Sequence, residues 1–129
     1  MFKAIPSLLI VIIAYHVVIM IGEATLASQV MAATLPSGAA WFLTVGDLLI
    51  LVGIALLAFE IIKASRWRTP ALDHAFSMVL FVVALLEFLL VAACGTDVFL
   101  ILTALTLIDV ISGFAVSLST ARRDIIVDK

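Results

Sequence analysis

The chain has 129 residues, 66% hydrophobic and 12% charged, with a formal net charge of -2. Soluble domains run at about 45–50% apolar and about 25% charged, so this composition excludes an ordinary soluble domain. Seven Lys and Arg residues form no basic face for nucleic acid, and the single cysteine, Cys94, excludes an intrachain disulfide or a thiolate metal cluster.

Membrane spans of about 20 residues each consume nearly the whole length, and four are predicted. The first covers about residues 6–33, most hydrophobic from Leu8 to Gly22. Leu35-Pro36-Ser37-Gly38 is a turn cluster expected to end one helix and start the next. The second span covers about 39–62 and leads into a basic loop, Lys63 to Arg68. Thr69 as N-cap and Pro70 at the first helical position open the third span, about 70–94. Gly95-Thr96-Asp97 is a tight connection, with Thr96 as N-cap and Asp97 at the positive end of the next helix dipole. The fourth span covers about 97–119, and Arg122-Arg123-Asp124 begins a short polar tail. Lys3 and the apolar run after it also resemble a cleaved signal peptide. The length of that run, and His16 and Glu23 within it, favour a retained helix.

Lys3, Lys63, Arg66, Arg68, Arg122, Arg123 and Lys129 all fall on one side of this arrangement. The positive-inside rule therefore places both termini in the cytoplasm. The expected architecture is an all-α integral membrane protein, a single transmembrane domain over residues 1–129. Its short connections force neighbouring helices antiparallel, giving an up-down four-helix bundle, N-in/C-in. The expected location is a bacterial inner (plasma) membrane.

His16, Glu23, Asp47, Glu87 and Asp109 interrupt these apolar runs, where Lys and Arg are absent. A charge at membrane depth costs several kcal/mol on insertion scales, so such residues are paired, protonated or functional. Helical rise places His16 ~15 Å and Asp109 ~18 Å into their spans, near the bilayer centre. Asp47 and Glu87 lie ~12 Å and ~10 Å from the outer ends of theirs. The expectation is thus an outer carboxylate group of Glu23, Asp47 and Glu87 above a central pair, His16 and Asp109. His16 and Glu23 share a helix face, and Thr44 lies one turn before Asp47. Thr103, Thr106, Gly113 and Ser117 flank Asp109 as a stripe of small and hydroxyl residues, which marks a helix–helix contact. Glu60, three residues before Lys63, reads as an interfacial ion pair of little functional weight.

Three functional classes follow. In the leading one, these carboxyl and imidazole groups bind or conduct a proton or small cation, as carboxylate and histidine relays do in transporters. In the second, the chain is a non-catalytic structural or assembly subunit of a larger membrane complex. The third, an enzyme or redox protein, is disfavoured. His74 lies ~6 Å into its span, far from the depth of His16, so one chain does not supply a bis-histidine haem. A metal centre built on His16 with carboxylates suits Zn, Fe or Mn, but no H-E-x-x-H or E-x-x-H spacing supports it. No cofactor is assigned. The expected partners are the lipid bilayer and a homo-oligomer or larger complex, with no nucleic acid. Four spans and an embedded acid resemble the small multidrug transporters. This chain departs from that family because Glu23 lies late in the first span and Trp41 and Trp67 sit at span ends as interfacial anchors. The resemblance therefore assigns no site residues.

Overall fold

A computed structural model describes residues 5–66 and 70–127. Four helices carry most of the chain: α1 (Leu8–Ile21), α2 (Val45–Arg66), α3 (Pro70–Leu90) and α4 (Asp97–Val127). A 3-10 turn (Glu23–Ala27) and a hairpin of β1 (Gln29–Thr34) and β2 (Ala40–Thr44) join α1 to α2, and a second 3-10 turn (Ala92–Cys94) joins α3 to α4. The expected N-cap Thr69, together with Lys3, Trp67, Arg68 and Lys129, lies outside the described residues.

The largest departure from the sequence expectation lies between Gly22 and Thr44. Instead of one helix across residues 6–33, α1 stops after 14 residues. Gly22 stops it by adopting φ +153°, a conformation that side chains disfavour, while its N–H still bonds the Val18 carbonyl at 3.2 Å. At 1.5 Å per residue α1 is about 21 Å long, short of a hydrocarbon core of about 30 Å. The turn signal at Leu35–Gly38 is genuine but joins two strands. Pro36 occupies its second position, and the Gly38 N–H closes it on the Leu35 carbonyl at 2.8 Å. The strands pair antiparallel, Ala33 opposite Trp41 and Thr34 opposite Ala40. A short apolar run reads equally as strand or helix by periodicity alone, which is why this segment was not legible.

α2 begins at Val45, six residues after the expected start, behind a reciprocal cap. The Asp47 N–H donates to Thr44 Oγ1 at 3.1 Å, and the Thr44 N–H donates to Asp47 Oδ2 at 3.0 Å. Two donors left free at a helix start are thereby satisfied. The helix continues through Lys63 to Arg66, which the sequence had suggested as loop. α3 ends at Leu90, and Val91 to Cys94 turn away rather than extending it. At α4 the sequence reading holds: the Phe99 N–H donates to Thr96 Oγ1 at 3.2 Å, making Thr96 the N-cap. α4 runs on through Arg122–Asp124 to Val127, because nothing after Ser119 breaks a helix.

α4 packs against α3 and α2 and touches α1, which also meets α2. The buried side chains Leu8, Val11, Tyr15, Leu49, Ala84, Phe99 and Leu102 form the centre of these contacts. Gly53 permits the close approach of α2 to α4, since a Cβ there would lie 2.9 Å from Leu105 Cδ1 and 3.1 Å from Leu102 Cδ2. α2, α3 and α4 are long and apolar enough to cross a membrane. Their outward faces display Leu51, Ile54, Val79, Leu86, Leu100 and Ile111. These features are consistent with an integral membrane protein. In lipid such helices associate through close packing of small residues and side chains, not through hydrophobic transfer.

Candidate functional site

Two groups of ionisable residues form among the described residues. Asp109 lies thirteen residues beyond Thr96 on α4, about 20 Å by helical rise, and the groups are separated on this scale.

The first group lies where α1 meets the α3–α4 turn. Tyr15, fully buried, donates to the Ala93 carbonyl at 2.9 Å or to Thr96 Oγ1 at 2.7 Å, tying α1 to that turn. This anchor brings His16 beside Glu87 and Cys94. His16 Nε2 is 3.5 Å from Glu87 Oε2 and 3.9 Å from Cys94 Sγ. The His16 Nδ1 is 2.8 Å from the Ile12 carbonyl, which only accepts, so Nδ1 carries the proton. In neutral His16 the Nε2 lone pair consequently points toward Glu87 and Cys94. Glu87 Oε2 is buried without a hydrogen-bond partner.

The second group surrounds Asp109, near the ends of α2 and α3 that carry Lys63 and Asp73. Glu60, Asp73, His74, Ser77, Asp109 and Gly113 line a cavity of about 20 Å³. That volume holds one water-sized species. Glu60 and Asp109 are only 5% and 7% exposed. Both Glu60 oxygens are occupied: Lys63 Nζ lies 3.0 Å from Oε2, and the Ser7 N–H donates to Oε1. In contrast, Asp109 Oδ2, Asp73 Oδ1 and His74 Nδ1 are buried without partners. Three carboxyl groups thus line one cavity, and the Lys63 ammonium beside it is held by Glu60.

His16 and Asp109, expected as a central pair, sit in different groups. Glu23 opens the 3-10 turn after α1, exposed and outside both groups. Asp47 is exposed and caps α2, because that helix starts later than the sequence suggested. Of the α4 stripe, Thr103 and Thr106 are buried, but their hydroxyls donate within the helix, to the Phe99 and Thr103 carbonyls at 2.9 and 2.6 Å. Ser117 likewise donates to the Gly113 carbonyl at 2.9 Å. Gly113 gives room to His74.

Sequence reading missed Glu60, Asp73, His74 and Cys94 as members of these groups. The Glu60–Lys63 pair forms as expected, and Glu60 is buried and also lines the Asp109 cavity. One signal was available: Asp73, His74 and Ser77 recur at helical spacing on α3, one polar face in an apolar helix. Comparison with family models, curated proteins and solved structures finds no match.

Proposed function

We propose that this chain is a small non-enzymatic membrane protein that binds a proton or small cation at Asp109 and passes it across the bilayer. The observation carrying this reading is the buried, unpartnered Asp109 oxygen in a cavity sized for one water or small ion. A buried polar atom without a partner is costly, and intramembrane carboxyl groups recur along ion and proton paths. The charged and titratable groups facing Asp109 are Glu60 and Lys63 from α2 and Asp73 and His74 from α3. Ser77 completes the polar lining.

In this reading the helices form an up-down four-helix bundle in an inner membrane. Lys63, Arg66, Arg122 and Arg123 lie on the cytoplasmic side with both termini. A chain of this size completes a pathway by oligomerising. The test is proton or cation flux in proteoliposomes: Asp109→Asn abolishes movement while insertion and thermal stability are kept.

A second reading, an assembly subunit of a larger complex, draws support from the exposed apolar residues of the hairpin, Val30, Met31, Trp41 and Phe42. Purification in mild detergent then yields a stoichiometric partner bound through that hairpin, and substitutions at Asp109 leave complex formation intact.

A further inference from the structure

We infer that His16, Glu87 and Cys94 form a binding site for a divalent transition metal of the Zn²⁺ class. The site is distinct from the Asp109 cavity and does not depend on ion passage there. His16 Nε2, a Glu87 carboxylate oxygen and Cys94 Sγ all lie within 4.8 Å of one another. A tetrahedral ion with ordinary Zn–N, Zn–O and Zn–S lengths sets its N···O and N···S separations at about 3.4 and 3.6 Å. The observed 3.5 Å for His16–Glu87 and 3.9 Å for His16–Cys94 lie close to these values, and the Glu87–Cys94 separation, within 4.8 Å, closes by side-chain rotation on binding.

Three further features favour a metal over a bare proton. The Nδ1 proton of His16 is committed to the Ile12 carbonyl at 2.8 Å, leaving Nε2 as the ligand atom. Metal-bound histidines are oriented in this way, with the other ring nitrogen held by a carbonyl or carboxylate. Glu87 Oε2 is buried and unpartnered beside that nitrogen, and a cation supplies its missing partner. The ligand charges also fit. Binding expels the Cys94 thiol proton to solvent, so one thiolate, one carboxylate and one neutral imidazole cancel the charge of a dication.

The donor set selects the class of ion. Thiolate and imidazole favour Zn²⁺ and its borderline neighbours, whereas Mg²⁺ and Ca²⁺ prefer all-oxygen sites. Three protein ligands leave the fourth position for water or an exogenous ligand, the pattern of an open zinc site. His16 and Glu87 side chains are 35% and 29% exposed, leaving that position accessible.

The test is Co²⁺ titration of the chelator-treated 129-residue chain in detergent micelles, followed by absorption spectroscopy. The expected result is one Co²⁺ per chain with a thiolate-to-cobalt charge-transfer band, displaced by Zn²⁺ and not by excess Mg²⁺. Cys94→Ser removes the band. The near-isosteric Glu87→Gln weakens Co²⁺ binding at least about tenfold, as loss of a metal-site contact does. Its apo-state Tm serves as the folding control. A wild-type chain with no charge-transfer band overturns the proposal, as does a band that persists in Cys94→Ser or a Glu87→Gln affinity equal to wild type. None of these outcomes bears on Asp109-dependent flux.

Discussion

His74 lies against Gly113: a Cβ on Gly113 would come 3.0 Å from His74 Nδ1. Gly113 is one helical turn beyond Asp109, so the missing side chain leaves space for an imidazole beside the buried carboxyl. The glycine therefore shapes the Asp109 cavity as well as allowing α3 and α4 to approach.

Replacing Gly113 with valine tests this relationship. The added atoms displace the His74 ring and overpack the α3–α4 contact, at a cost of about 1–3 kcal/mol. Thermal unfolding in detergent should show a lower Tm, and the His74 imidazole resonances should shift. An unchanged Tm with unchanged resonances means that His74 does not pack there.

Tyr15→Phe removes a hydroxyl that bridges α1 to the α3–α4 turn through Ala93 and Thr96. Leaving a buried partner unsatisfied costs about 1–3 kcal/mol. The variant should unfold at lower temperature and bind Co²⁺ more weakly, because the turn that presents Cys94 loses its anchor to the His16 helix. Wild-type stability and affinity together would contradict the anchoring role.

Asp47 gives the opposite expectation for function. Its carboxylate accepts from the Thr44 N–H and its own N–H donates to the Thr44 hydroxyl, so the residue caps α2. Asp47→Ala should cost about 1 kcal/mol of stability, as loss of a helix cap does. Ion movement in proteoliposomes should be unchanged. A loss of flux without a loss of stability would return Asp47 to the ion path.

The sequence exposed the apolar segments clearly, because α2, α3 and α4 are long runs whose length and composition leave few alternatives. Thr96 was readable as a cap because a hydroxyl residue after glycine and before an apolar run is a strong helix start. The hairpin was hidden, since Gln29–Thr34 and Ala40–Thr44 are apolar enough to continue a helix and only the Gly22 backbone conformation ends α1. That early stop also changes the site. Depth counted along a full-length first span put His16 level with Asp109; the short α1, anchored by Tyr15, puts it level with Glu87 and Cys94. Glu60 reads from sequence as a surface pair because Lys63 stands three residues on, whereas its burial depends on how α2 packs.

Ion flux reports whether Asp109 binds the moving ion. Wild-type and Asp109→Asn chains are reconstituted into vesicles at matched density, with a pH-sensitive dye inside and a proton or cation gradient imposed. Gradient-driven movement is expected for the wild type and none for Asp109→Asn, with equal insertion and equal Tm. Wild-type flux in a correctly inserted Asp109→Asn chain would contradict it.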